Sequence, residues 1–179
     1  MNEFLTELDK TSHTKRWTIV DTFKEQTIDA HMYRTSMISL WISQKIQECG
    51  DFNKVMPYSI MARAMIHDWE EIYTGDIPAT IGPLMDKKGL NELVQKDMSP
   101  FIKNLDEDPY HELDDLETLI LKCADVLESL VFLVNNAPDS IHNKEVKKIL
   151  RTNLEIVVCN IEKEVSGLDL KKEIDSYLV

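Results

Sequence analysis

The chain has 179 residues, 43% of them hydrophobic, which suits one domain over residues 1–179 with a single packed core rather than global disorder. Its net charge of −12 argues against a nucleic-acid polymer as partner, because binding one requires a basic surface, although a bound cation can screen the phosphates of a nucleotide. The acidic N-terminus is unlike a signal peptide, and no apolar run approaches the ~20 residues of a membrane span. The three cysteines fit no disulfide pattern. We therefore expect a cytoplasmic protein without a membrane partner.

The first two helices are predicted in the N-terminal half. One covers 27–45, with Met37 among its apolar residues, and Gly50 follows as a helix end. The next begins at Pro57, a favoured first-turn position, and stops near Gly75. The dipeptide His67-Asp68 lies in the middle of this second helix.

The remaining segments are also helical or irregular. Proline and glycine predict a loop over 77–88, and a polar, moderately helical stretch follows over 90–105. Apolar residues at helical spacing predict a strong helix over 113–134 and a last helix over 143–165. No segment alternates with the period of a β-strand, so we predict an all-α helical bundle.

A candidate metal site centres on His67-Asp68, which lies in the apolar context MARAMIHDW. Two adjacent polar residues on the buried side of a helix are costly unless they are paired or bind a metal. Further ligands would come from His31 on the first helix and from Asp125, which interrupts an apolar run. Such a set suits a divalent ion, either Zn, Co, Mn or Mg. Glu71, one helical turn after His67, has the position of a general acid/base.

Four patches in chain order resemble the HD-domain superfamily, and within it the bacterial 5′-deoxynucleotidases and the phage dATP triphosphohydrolases. The resemblance extends from Lys15 to Asp125. The patches are Arg16-Trp17 with His31 fourteen residues later, His67-Asp68 with Glu71, Thr74-Gly75-Asp76 with Pro78, and Lys122 with Asp125. The resemblance implies a helical bundle of the HD-domain type.

The resemblance also implies a role for each matching residue. The metal ligands would be His31, His67, Asp68 and Asp125, and Glu71 would be the catalytic acid/base. Arg16 and Lys122 would bind phosphate, Trp17 would pack near the base or sugar, Asp76 would contact the deoxyribose 3′-hydroxyl, and Ile19 would contact the base. Family members assemble, so a homo-oligomer is expected.

Two departures from the family pattern concern the substrate. Ala30 precedes His31 where the deoxynucleotidases usually have glutamate. Thr80 and Gly82 stand where the family often has a proline and a phosphate-binding lysine. The number of phosphates on the substrate is therefore open.

The first functional hypothesis is a metal-dependent triphosphohydrolase of a 2′-deoxynucleoside triphosphate, with dATP preferred, that releases deoxynucleoside and triphosphate. The alternative is a 5′-deoxynucleotidase that converts a dNMP to deoxynucleoside and phosphate. A non-catalytic nucleotide sensor of the HD type is a further alternative. A cyclic-nucleotide phosphodiesterase shares the HD core, but the Arg-Trp and Thr-Gly-Asp patches fit the deoxynucleotide group better.

Overall fold

The computed structural model describes residues 3–50, 52–76, 89, 92, 94, 96–107 and 112–178, and within them it contains eight bounded helices and no β-strand. The helices are α1 (Glu3–Thr11), α2 (Ile28–Glu48), α3 (Pro57–Ala64), α4 (Glu71–Thr74), α5 (Pro100–Glu107), α6 (Asp115–Asn136), α7 (Ile141–Glu164) and α8 (Leu170–Tyr177). The prediction of an all-α fold is confirmed. Among the described residues, no helix is both long and apolar enough to cross a membrane.

Local signals set the ends of the long helices. A capping box starts α6, because Asp114 accepts a hydrogen bond from the Glu117 backbone and the Glu117 carboxylate accepts one from the Asp114 backbone. Ser140 caps α7 by accepting from the Asn143 backbone. After α2 the chain passes through Gly50 at a φ of 92°, a conformation that favours glycine. The predicted end at Gly50 is therefore confirmed.

The main core lies where α6 packs along α2 and α7, with α3 against α2. Its fully buried side chains include Ile42, Ile60, Leu130 and Ile161, each of which contributes about 1.5–3 kcal/mol by leaving water. This core holds α2, α3 and α6 at fixed positions, and these are the elements that carry or adjoin the polar cluster described below.

The buried face of α2 differs from the predicted one. Met37 is 47% exposed, whereas Ser36, Ser39 and Ser43 are buried. Each serine hydroxyl donates to a backbone carbonyl three or four residues earlier in α2. The helix thus satisfies these hydroxyls itself, so small serines can be buried where the sequence pattern predicted larger apolar residues.

The second helix was predicted to run without a break from Pro57 to near Gly75, and this prediction is wrong. The α-helix ends at Ala64, and residues 65–70 form turns before α4 begins at Glu71. The backbone amides of Ile66, Trp69 and Glu71 bond to carbonyls three residues earlier, which is the tighter 3₁₀ pattern. His67-Asp68 therefore lies in a turn between two helices rather than within one helix.

Two terminal helices were not predicted, and the segment over 143–165 is not the last helix, because α8 follows it. Asp169 caps α8 by accepting from the Lys172 backbone, and Leu170 and Ile174 pack into the main core. The predicted loop over 77–88 lies outside the described residues. Within 90–105, the helical conformation is interrupted at Met98 and Ser99, and α5 begins after them.

Helix α1 is attached through Glu7, a buried acid. Its carboxylate accepts hydrogen bonds from Ser99 N at 2.5 Å, from the Tyr73 hydroxyl at 2.5 Å and from Trp69 Nε1 at 3.3 Å. Trp69 directly follows Asp68, so Glu7 braces the turn that carries His67-Asp68.

We predict that Glu7→Ala lowers the free energy of unfolding by about 2–3 kcal/mol, because it leaves buried donors without an acceptor. Chemical denaturation of the metal-free protein measures this loss. Asp9→Ala removes an exposed charge from the same helix and is the matched control, with an expected change below about 0.5 kcal/mol. Equal stability of the two variants would contradict the bracing role of Glu7.

Candidate metal centre

Three ligand-type side chains from separate elements meet at one point. His31 on α2, His67 in the turn before α4 and Asp125 on α6 each offer one atom, and these atoms all lie within 4.8 Å of one another. His31 Nε2 lies 3.2 Å from Asp125 Oδ1 and 3.3 Å from Asp68 Oδ2, and His67 Nε2 lies 3.4 Å from the same Asp68 oxygen. The residues predicted as ligands are thus adjacent in space.

Hydrogen bonds orient both imidazole rings. His31 Nδ1 lies 2.6 Å from Glu128 Oε2, and His67 Nδ1 lies 2.8 Å from the carbonyl oxygen of Ala64. A carboxylate and a carbonyl only accept, so each Nδ1 is a donor and each Nε2 faces the cluster. Both Nε2 atoms are buried, and within the described residues they have these carboxylate contacts but no hydrogen bond. This is the arrangement that a histidine metal ligand requires.

The cluster carries an excess of negative charge. Burial opposes the His31 cation, but Asp125, Asp68 and Glu128 outweigh it and raise the pKa of His31 to about 10. Burial alone would raise the pKa of Asp68, but His67, His31 and Arg16 hold it well below its usual range. The pKa of Asp125 is also lowered, because its contact with His31 outweighs its burial. The carboxylates of the cluster therefore stabilise positive charge beside them.

These observations together fit a divalent metal ion. The Nε2 atoms of His31 and His67 and the carboxylate of Asp125 form a mixed nitrogen and oxygen donor set, with Asp68 beside them. Such a set suits borderline divalent ions and leaves coordination positions for other molecules. Asp125 is 37% exposed, so one side of the cluster is open to solvent.

Glu71 begins α4, beyond the turn that carries His67-Asp68. Burial raises the pKa of its carboxyl to about 9, with Asp68 adding to this effect and Arg16 opposing it. Its Oε2 atom is buried and has no hydrogen bond to the part of the chain that the structure describes. Glu71 therefore carries a proton near neutral pH and is able to donate it.

Arg16 and Trp17 form a strained turn beside the cluster. The Arg16 Nε and Nη1 atoms are buried and make no hydrogen bond with any described residue. They lie 3.9 Å from Asp76 Oδ1 and from Glu128 Oε2 respectively. Trp17 has a φ of 63°, which is rare for a bulky residue and costs about 1–3 kcal/mol. Its backbone N–H donates to Asp76 Oδ2 at 2.7 Å, and its ring stacks on Phe132. Asp76 thus holds the turn in place.

Two predicted substrate residues are exposed. Ile19 is 52% exposed, and Lys122 is exposed on α6, one turn before Asp125. Their contacts with a substrate stay predictions. Thr80 and Gly82, where the family pattern has other residues, lie outside the described residues.

Sequence reasoning missed Glu128 and Gln26. Glu128 lies three residues after Asp125, on the same side of α6, and is as well buried as the apolar residues around it. It interrupts the apolar run just as Asp125 does, so the same signal was present at both positions. Gln26 lies in the loop before α2, and nothing in its sequence context marks it.

The sequence matches the family model of the HD domain over residues 8–152. A dATP triphosphohydrolase of Salmonella phage PMBT28 is 24% identical over 144 residues, which cover 78% of this chain and 71% of the relative.

Solved structures with a similar fold span nearly the whole chain. The HD phosphohydrolase of cyanophage S-2L, bound to dA and one catalytic Zn²⁺ ion, has a TM-score of 0.69 at 23% identity and covers 97% of this chain and 90% of its own. An HD-domain phosphohydrolase from Listeria innocua has a TM-score of 0.62 at 16% identity and covers 90% of this chain and 80% of its own. Because the HD domain match spans well over half of the residues, this chain belongs to the HD domain family.

Proposed function

We propose that this protein is a divalent-metal-dependent phosphohydrolase that converts a 2′-deoxynucleoside triphosphate, preferably dATP, to deoxynucleoside and triphosphate. The observation that carries the proposal is the meeting of His31, His67 and Asp125, beside two Arg16 nitrogens, Nε and Nη1, that make no hydrogen bond within the described residues. The cluster attracts a cation, and the arginine attracts the phosphate that the cation would contact.

His31, His67, Asp68 and Asp125 hold the ion in this proposal. When bound, a divalent ion polarises a phosphoryl group and makes a water molecule acidic enough to attack it near neutral pH. Arg16 donates N–H groups of Nε and Nη1 to phosphate oxygens and neutralises the charge that develops there. Lys122 adds positive charge from α6.

Glu71 is the proton donor. Cleavage between the 5′-oxygen and the first phosphorus leaves an alkoxide that needs a proton, and Glu71 carries one at neutral pH because burial raises its pKa. A cation held by the neighbouring ligands would lower that pKa from the metal-free value, towards the working pH.

Trp17 and Asp76 contact the deoxynucleoside. Asp76 uses Oδ2 to hold the Trp17 backbone. Among the described residues Oδ1 has only the Arg16 contact at 3.9 Å, and it is able to accept a hydrogen bond from the 3′-hydroxyl. Trp17 packs near the sugar or base, and Ile19, exposed two residues later, contacts the base. The name of the Salmonella phage relative and the dA bound to the cyanophage protein support this substrate class.

A 5′-deoxynucleotidase is the alternative. Gly82 stands where the family pattern has a phosphate-binding lysine, and a monophosphate does not need that contact. The products distinguish the two activities, because only the first releases triphosphate. A non-catalytic sensor would bind nucleotide without turnover.

The first prediction concerns the metal. Zn²⁺, Co²⁺ or Mn²⁺ at about a hundred times its dissociation constant should stabilise chelator-treated protein by about 2.7 kcal/mol, or about 5–10 °C in Tm. His67→Ala should abolish this rise in thermal denaturation, whereas His13→Ala, an exposed histidine, should retain it. A wild-type Tm that no divalent ion changes would contradict the metal site and favour the sensor.

The second prediction concerns the products. Metal-loaded protein incubated with dATP should release triphosphate, which ³¹P NMR distinguishes from diphosphate and phosphate. ATP should react more slowly, and dAMP should not release phosphate. Phosphate release from dAMP without triphosphate release from dATP would replace the proposal by the 5′-deoxynucleotidase.

The third prediction concerns Glu71. Glu71→Gln should lower kcat by about 10²–10⁴-fold, because the proton donor is lost. The wild-type rate should fall as pH rises through the Glu71 pKa, and the variant should lack this alkaline decline. Glu145→Gln, an exposed acid on α7, is the matched control with unchanged kcat. Undiminished turnover by Glu71→Gln would contradict the assigned role.

A further inference from the structure

Glu128 is a buried acid with no role in the reaction proposed above. It is 2% exposed, and its Oε2 atom accepts from His31 Nδ1 at 2.6 Å. Arg16 Nη1 lies 3.9 Å from the same oxygen, and Arg34 Nη1 lies 3.6 Å from Oε1. A carboxylate in this position stabilises one orientation and one tautomer of His31.

The hydrogen bonds continue from Glu128 to the strained turn. Gln26 Nε2 donates to Glu128 Oε1 at 2.7 Å, and Trp17 Nε1 donates to Gln26 Oε1 at 2.6 Å. Gln26 is 2% exposed, so no water competes at its amide. We call these hydrogen bonds, from Trp17 through Gln26 and Glu128 to His31, the row. An indole N–H only donates and a carboxylate only accepts, so the direction of every hydrogen bond in the row is fixed.

We propose that Glu128 is the positioning residue that prepares His31 for the metal, and that Gln26 joins it to Trp17, so that the metal centre and the Arg16–Trp17 turn form one hydrogen-bonded unit. The proposal rests on the proposed metal-dependent function. Glu128 acts by keeping a proton on His31 Nδ1, so that Nε2 is the nitrogen at which the ion replaces a proton.

Glu128→Gln breaks this row in either orientation of the new amide. If the amide oxygen faces His31, its NH₂ group faces the NH₂ group of Gln26, and two donors meet. If the amide is turned, its NH₂ group faces His31 Nδ1 and drives the proton to Nε2, where the metal binds. Adding Gln26→Glu gives every hydrogen bond in the row one donor and one acceptor again, because the carboxylate at position 26 then accepts from both Trp17 and the new amide.

The experiment is calorimetric titration of metal-free protein with Zn²⁺, and with Co²⁺ in parallel. Compared with wild type, Glu128→Gln should bind about 10–100-fold more weakly. The double variant Gln26→Glu with Glu128→Gln should recover to within a few-fold of wild type. Glu155→Gln, which removes an exposed charge on α7, is the control and should bind as wild type.

Wild-type affinity in Glu128→Gln, or a double variant as weak as the single one, would overturn the proposal. A wild-type protein that binds neither ion would overturn the proposed function instead, so the two failures are distinguishable. If Glu128→Gln does not fold, ¹⁵N NMR of zinc-saturated wild type decides the matter. A proton on His31 Nδ1 supports the proposal, and a proton on Nε2 refutes it.

Discussion

The hydrogen bond between His31 and Glu128 joins α2 to α6 inside the protein, where neither side chain meets water. A buried carboxylate is costly unless its oxygens are satisfied, and here His31 and Gln26 satisfy them with the help of two arginines. The packing of α2 against α6 brings the partners together. The same contact between α2 and α6 therefore reduces the cost of burying Glu128 and orients the His31 ring.

His67 is oriented by a different kind of hydrogen bond, one to the backbone. Because α3 ends at Ala64, the carbonyl of that residue is free to accept from His67 Nδ1. A continuous helix would have used this carbonyl for its own backbone, and the ring would have had no such partner. The interruption of the helix thus creates the orientation of His67, and it also lets Asp68 lie beside both histidines.

The sequence indicates which residues form the cluster, but it does not indicate how their side chains are oriented relative to one another. His67-Asp68 and Asp125 are conspicuous because they are polar residues in apolar segments, and their spacing to His31 matched a known pattern. The break after Ala64 depends on where turns and side chains compete for backbone groups, which hydrophobic periodicity does not encode. The strained backbone of Trp17 depends on Asp76, 59 residues away, so no local pattern reveals it.

The ligand atoms come from three places that are far apart in sequence but adjacent in space. An ion that binds His31, His67 and Asp125 closes two loops of several dozen residues each, and closing a loop removes conformations that the unfolded chain would otherwise sample. Its effect on the chain is that of a reversible cross-link, similar in origin to that of a disulfide. All three cysteines of this chain are free thiols, so an ion held at these residues would constrain the chain without any disulfide beside it.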